Sequence, residues 1–327
     1  MTNITVDRAE FEAQLADHRA DLTGYCYRLM GSAFEAKDAV QETLIRAWRA
    51  LDRFDGRSAL RTWLYLIATN VCFDMLLSRK RRALPMDMSP AASSADAPLA
   101  PPLPDSTWVE PIRDDWVLTV DADPAELVAA RESVRLAFVA ALQYLPPRQR
   151  AILILRDVLR WKTSEVATLL ETTTASVNSA LQRARSTLEV KEINPARPSD
   201  PMDAEQQLLL DRYVDAFERY DIDSFVSLLH EDAVQSMPPY PMWLQGPTEM
   251  GRWMRGPGAA CEGSRLLPFT ANGRPAFAQY RPSGPEGRHE PWNIHVVEIS
   301  DGRVAAITYF LDTKLFPLFG LPQHPDE

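Results

Sequence analysis

One short stretch, TSEVATLLETTTASVNSALQRARSTLE at residues 163–189, gathers side chains that can read a nucleic acid. Thr174, Asn178, Ser179, Gln182, Arg183 and Arg185 share the polar side of a predicted helix. Asn, Gln and Arg can make paired hydrogen bonds to base edges in a major groove, whereas Ser and Thr hydroxyls suit phosphates. The apolar residues give the element its shape. Val166, Leu169 and Leu170 predict the inner stripe of a short helix, Glu171 to Thr173 a tight turn, and Val177, Leu181, Ala184 and Leu188 the stripe of a second helix. This is the pattern of a helix-turn-helix. On pattern alone, an ordinary helical hairpin with a solvated face competes with it.

Two other groupings invite a chemical reading. Asp38, Gln41 and Glu42 stand at i, i+3 and i+4, which puts them on one helix face. In the last third of the chain, His230, Asp232, His295 and Asp312 are the titratable groups available for acid–base work. Each has a plainer explanation. His230 and Asp232 fall at a helix-to-strand junction, Asp312 ends a strand, and a lone inward histidine such as His295 is usually a satisfied core residue. No catalytic residue is assigned, and the chain is expected not to be an enzyme. Cys26, Cys72 and Cys261 are odd in number and lack metal-ligand spacing, so they read as buried thiols, with no metal or cofactor expected.

The elements that must position these groups follow from composition and period. The chain has 327 residues, 46% apolar and 24% charged, which fits globular material of two to three domains and excludes a disordered chain or a small disulfide scaffold. No apolar run approaches the roughly 18–20 residues needed to cross a bilayer, and the N-terminal residues are charged where a signal peptide is apolar. A cytosolic protein without membrane contact is expected. The net charge of −10 is unevenly divided: +5 for residues 57–82 and +5 for 131–191, against −8 for 83–130 and −8 for 203–327. Two basic blocks held between acidic ones suggest local polyanion contacts.

Helical period marks residues 8–30, 34–51 and 58–82, and then 125–144, 147–158, 163–170 and 174–189. Residues 84–124, rich in Pro, Ala, Ser and Asp, read as an extended linker, although Trp108, Ile112, Trp116 and Val117 hint that part of it docks. Trp48 and Trp63 are expected in the core. After a Pro-rich break at 192–203, an amphipathic helix precedes strands at 274–281, 291–300 and 303–312, the last two joined by a hairpin at Ser300-Asp301-Gly302.

Residues 131–189, especially LPPRQRAILILRDVLRWKTSEVATLLETTTASVNSALQRARSTL, resemble region 4 of the bacterial sigma-70 family, extracytoplasmic-function branch. Residues 24–82, in the run DAVQETLIRAWRALDRFDGRSALRTWLYLIATNVCFDMLLSRKRR, resemble its region 2. The two motifs stand in family order, bridged without a region 3. The resemblance implies an RNA polymerase sigma factor that takes the core enzyme to promoter DNA and opens the −10 element. It implies that Asp38, Gln41 and Glu42 meet the clamp helices of the polymerase. Phe54, Arg57, Ser58, Arg61 and Asn70 would handle an unstacked base of the −10 strand, since extrusion costs a few kcal/mol that ring faces and polar groups must recover. Arg79 to Arg82 would lie toward duplex phosphates. Thr174, Asn178, Ser179, Gln182, Arg183 and Arg185 would read the −35 element. The family often has Arg where this chain has Asn178 and an aromatic where it has Gln182, so −35 preference does not carry over. The helix around Arg148 to Arg156 would sit against the polymerase flap.

The order of elements in residues 204–324 resembles the SnoaL-like, nuclear-transport-factor-like cone. The expected architecture is therefore multidomain: two all-α sigma domains at 8–83 and 125–191, a linker at 84–124, and a C-terminal α+β cone at 204–324. Related sigma factors with such an extension use it for regulation, which implies intramolecular contact of the C-terminal domain with the sigma regions or the linker. The alternative is a cone-fold enzyme or ligand sensor fused to a DNA-binding module. Region 2, which such a fusion does not need, discriminates between them.

Overall fold

A chain with two helical blocks and one strand-rich block must bury three apolar surfaces, and it does so in two units. The computed structural model describes residues 8–51, 54, 59–77, 79–89, 91–118, 124–189 and 203–326. One unit combines residues 1–82 with 114–198, and the other combines 83–113 with 199–327. Among the described residues no helix is long and apolar enough to cross a membrane.

The first unit is helical: α1 (Arg8–Asp17), α2 (Arg19–Met30), α3 (Ala33–Arg49), α4 (Leu60–Leu76), α5 (Pro124–Glu132), α6 (Leu136–Leu142), α7 (Pro147–Leu153), α8 (Thr163–Leu169) and α9 (Thr174–Glu189). The break between α2 and α3 is written locally. Gly31 takes the left-handed conformation, φ 71°, and returns its N–H to the Tyr27 carbonyl, while the Ser32 side chain accepts from the Glu35 N–H. Small residues on α3, Ala36, Ala39 and Ala47, are fully buried and bring its neighbours close. Between α2 and α4 the Tyr25 and Tyr65 rings lie 5.0 Å apart, and the Tyr25 hydroxyl meets the Thr69 hydroxyl at 2.8 Å. The expected helix at 147–158 is α7 followed by a π-helical turn at Ile154–Val158.

Two buried arginines join the first helical block to the second. Arg28 of α2 donates to the Ser133 Oγ at 2.6 Å and to its carbonyl at 3.2 Å. Arg150 of α7 donates to the Leu29 carbonyl, to Gln143 Oε1 at 2.6 Å and to the Leu145 carbonyl at 3.0 Å. Burial lowers the pKa of each to about 10, so both stay charged at neutral pH.

The second unit contains α10 (Ala204–Glu218), α11 (Ile222–Ser227), α12 (Pro247–Arg255) and six strands: β1 (Leu229–Ser236), β2 (Trp243–Gln245), β3 (Arg265–Ala271), β4 (Arg274–Arg281), β5 (Glu290–Ser300) and β6 (Arg303–Phe310). The sheet runs β2-β1-β6-β5-β4-β3, antiparallel except where β1 lies parallel to β6. The expected hairpin turn is present, with Asp301 and Gly302 at φ 51° and 68°. Tyr213, Phe217 and Phe225 from the helices pack on Phe277, Val297 and Ile307 of the sheet. An α+β cone beside helical sigma regions is the architecture that the sequence leads one to expect.

Residues 83–113 differ from a free tether, because their backbone bonds to the cone. The Ser93 N–H donates to the Trp243 carbonyl at 2.7 Å, the Leu103 N–H to Pro239 at 2.9 Å, and the Asn272 N–H to Ile112 at 2.9 Å. The Ile112 N–H donates to Asn272 Oδ1 at 3.0 Å. Trp108 and Ile112 are buried here, and Val117 is buried in the helical unit. The segment satisfies some of its N–H and C=O groups itself, as where Ala83 pairs with Thr107 and Val109, and the cone offers partners to others.

His295 on β5 is fully buried. Its Nδ1 meets the Tyr213 hydroxyl at 2.9 Å and its Nε2 meets Gln279 Oε1 at 3.0 Å. The amide oxygen can only accept, so Nε2 carries the proton and Nδ1 accepts from the tyrosine. Burial lowers the pKa from 6.5 to about 3, which keeps the ring neutral. As pH falls from 6.5 toward 3, the unfolded chain takes up a proton that the folded chain refuses. Stability is therefore full above 6.5 and declines below it, by about 2 kcal/mol between pH 7 and pH 5. Urea denaturation of the wild type and of His295→Gln at these two pH values should show this component in the wild type alone. For the helical unit, Arg150→Met would leave the Leu29 and Leu145 carbonyls buried without that donor. It should cost about 3 kcal/mol, read as a lowered urea midpoint.

Candidate nucleic-acid interface

The helix-turn-helix forms because each half closes its own ends. The Lys162 N–H donates to the Glu165 carboxylate at 2.7 Å at the start of α8, and the Ser176 N–H donates to Thr173 Oγ1 at 3.1 Å at the start of α9. Glu171 takes a positive φ of 48° in the turn, and Arg148 of α7 braces it by donating to the Leu170 carbonyl at 2.6 Å. Val166, Leu169, Leu170, Val177, Leu181, Ala184 and Leu188 are all buried, as their spacing predicts. The opposite side of α9 carries Thr174, Asn178, Ser179, Gln182, Arg183 and Arg185, every one exposed. A rigid helix thus offers amides, a hydroxyl pair and guanidinium groups along a single open flank.

Two features of this region were not read from sequence. Arg185 forms a forked pair with Asp157, at 2.6 and 2.9 Å, which raises its pKa further. The arginines at 148–156 are engaged internally: Arg148 on Leu170, Arg150 within the core, and Arg156 on the Trp161 carbonyl. The sequence marks them as basic but does not say which carbonyl each will reach.

In the first helical block, Asp38 and Gln41 are exposed on α3, and Glu42 is half-buried. Glu42 accepts from Arg46 Nε at 2.7 Å, and Arg46 also reaches Asp74 at 3.3 Å. The same helix leaves Ile45 36% and Trp48 37% exposed. Trp48 is therefore not a core residue. It packs on Phe11 at 6.4 Å with part of its ring open, because the face that α3 turns inward carries Ala36, Ala39, Val40, Thr43 and Ala47. An aromatic and an aliphatic side chain beside acidic and amide groups make a surface able to dock a protein partner. Ring size, which pointed to the core, could not reveal that.

Phe54 is half-buried with its ring 4.9 Å from Trp63, itself half-buried. Arg57 and Ser58 lie outside the described residues. Arg61 stands over the Tyr65 ring at 5.6 Å and over Trp161 of the second helical block at 5.1 Å. Asn70 is exposed on α4, nine residues and about two and a half turns beyond Arg61, hence on a different side of that helix. Arg79 and Arg82 are not both turned outward. Each pairs with the buried Glu35 carboxylate, Arg82 at 2.6 Å and with only 5% exposure, so this part of the basic run serves the fold. Arg81 is exposed, 3.7 Å from the Tyr144 ring centroid.

His230 and Asp312 of the cone each have a local backbone partner. His230 Nδ1 accepts from the Asp232 backbone N–H at 3.1 Å, as a turn would arrange it. Asp312 accepts from the Lys314 N–H at 3.0 Å, and burial raises its pKa.

Comparison with known proteins bears on the whole chain. Family models match at residues 15–82 (sigma-70 region 2), 135–188 (sigma-70, region 4) and 210–307 (SnoaL-like domain). The chain is 46% identical over 318 residues to the ECF RNA polymerase sigma factor SigG of Mycobacterium tuberculosis, covering 96% of this chain and 85% of that protein. It is 30% identical over 226 residues to SigJ of the same organism, covering 68% of this chain and 62% of that one. The crystal structure of M. tuberculosis SigJ superposes with a TM-score of 0.58 over 97% of this chain and 100% of that chain at 24% identity, which establishes the shared fold. A fusion of a cone-fold enzyme or sensor to a simple DNA-binding module does not account for the region 2 match. Region 2, region 4 and the cone, in that order and along nearly the full length of a relative, make this chain an extracytoplasmic-function RNA polymerase sigma factor with a SnoaL-like C-terminal domain.

Proposed function

We propose that this sigma factor acts through two surfaces on the core of RNA polymerase and two on promoter DNA. The observation that carries the reading is α9: one flank is wholly buried, and all six candidate residues are exposed on the other. Asn178, Ser179, Gln182 and Arg183, with Thr174 and Arg185 toward phosphates, read the −35 element. Asp38, Gln41 and Glu42, extended by Ile45 and Trp48, engage the clamp helices, and the second helical block meets the flap. Phe54, Arg57, Ser58, Arg61 and Asn70 handle the opened −10 strand. No catalytic step belongs to the chain, and it works in the cytosol.

Regulation in cis is part of the proposal. Arg61 is committed to Tyr65 and Trp161, and residues 83–113 are held by the acidic cone. A −10 strand competes with Trp161 for Arg61, and core polymerase shifts the balance by binding the open form more tightly. The domain limits 8–83, 84–124, 125–191 and 204–324 belong to the same proposal, with the linker functionally part of the cone.

Run-off transcription with purified core polymerase tests it. Asn178→Ala and Gln182→Ala should each relax −35 selectivity by about 1–3 kcal/mol, whereas Arg185→Ala should weaken all promoters alike. Equal loss across promoters for all three would remove direct base readout. Trp48→Ala should lower affinity for core polymerase about tenfold, as for a buried interface aromatic, with the melting temperature little changed because the ring is already part-exposed. Truncation after residue 194 should alter promoter output; unchanged output would dismiss regulation by the cone.

A further inference from the structure

The second unit holds a partly open cavity of about 400 Å³. That is within the range of small-molecule sites, roughly 300–1,000 Å³. Five aromatic side chains, Phe217, Tyr240, Trp253, Trp292 and Tyr309, stand among its lining residues. Among the described residues, several buried side-chain atoms that line it have no hydrogen-bond partner, Gln235 Oε1, Asn293 Oδ1 and Arg281 Nε among them. Gln235 is 1% exposed and Asn293 3% exposed, yet among the described residues Gln235 Oε1 and Asn293 Oδ1 accept no hydrogen bond.

The chain of amides behind the wall sets the orientation of Asn293. Asn293 Nδ2 donates to Gln279 Oε1 at 2.7 Å, the same oxygen accepts from His295 Nε2 at 3.0 Å, and Gln279 Nε2 donates to Ser264 Oγ at 2.8 Å. With its N–H₂ committed, Asn293 is left with an acceptor among the lining groups. Arg281 supplies a cation there, its guanidinium stacked 4.1 Å from the Trp292 ring centroid. A buried acceptor without a donor is unfavourable, and a donor on a guest would relieve it.

One wall does not come from the cone. Asp96, Ala97, Pro98 and Leu99 of the segment that joins the two sigma regions also line the cavity. This strap is anchored on either side of that stretch, by the Ala95 N–H on the Glu249 carboxylate at 2.8 Å with Asp96 paired to Arg252, and by the Leu103 N–H on Pro239 at 2.9 Å. Leu99 between the anchors remains 40% exposed. A guest touching residues 96–99 would add contacts to a stretch held mainly at its ends.

We propose that this cavity binds a flat, mainly aromatic small molecule that presents an N–H or O–H donor to Gln235 and Asn293 and an anionic group to Arg281, and that its binding holds the strap on the cone. The sigma region linker thereby becomes sensitive to a metabolite of that chemistry.

The probe for the test is 8-anilinonaphthalene-1-sulfonate, which combines two ring systems, one N–H donor and one sulfonate, titrated into the full-length chain by fluorescence. One saturable site per chain is expected, with affinity reduced at least tenfold in Arg281→Met and in Asn293→Leu. Arg281 is part-exposed, so its variant keeps the test valid if Asn293→Leu does not fold. Hydrogen exchange at the Ser93, Ala95 and Leu103 amides should slow at least threefold when the probe saturates. No saturable binding, or equal affinity in a folded variant, overturns the site; binding with unchanged exchange overturns the coupling. Neither result depends on polymerase or DNA, so the outcome is separable from the transcription assays.

Discussion

Backbone hydrogen bonding of residues 83–113 is the constraint on which much else depends. This stretch has seven prolines and little regular structure, so short turns and the pairing of Ala83 with Thr107 and Val109 answer only part of its N–H and C=O groups. Donors and acceptors on the cone answer others, at Trp243, Pro239 and Asn272. Satisfying that requirement makes the linker part of the C-terminal unit and supplies the cavity with a wall. It also gives the C-terminal domain a grip on the segment between the two sigma regions. A linker rich in Gly and Ser would meet water and remain a tether.

The helical unit shows the same economy with charge. Arg28 and Arg150 are buried among carbonyls, Arg79 and Arg82 converge on Glu35, and Arg185 forks onto Asp157. Much of the positive charge that the sequence presents as a DNA surface is therefore occupied. What stays open is selective: the amides and hydroxyls of α9 with Arg183, and the Asp38, Gln41, Ile45 and Trp48 flank of α3. Forked pairs at exposed positions are weak in water, so Arg185 remains available to a phosphate. Arg150 is not, because leaving would strand several buried carbonyls.

The helix-turn-helix was legible in full, because each apolar residue at helical spacing has one way to be buried. Region 2 was legible as a motif, yet Trp48 and Arg82 were misassigned. Type and spacing do not tell an exposed interface ring from a core ring, nor an ion-paired arginine from a solvated one. In the cone, the β5–β6 hairpin and the inward His295 followed from alternation and a turn. The parallel pairing of β1 with β6 did not, since it joins residues more than sixty apart with no local signal.

Sequence by itself determined the family, the order of the modules, the polar flank of α9 and the core role of a lone inward histidine. These depend on local period and on motif, which the chain carries residue by residue. Only the tertiary structure decided which arginines are spent on carbonyls and carboxylates, which tryptophan is open, where residues 83–113 find their hydrogen-bond partners, and that Gln235 and Asn293 share a cavity with that segment. Those outcomes depend on pairs distant along the chain, whose contact is fixed by the need to satisfy every buried polar group at once.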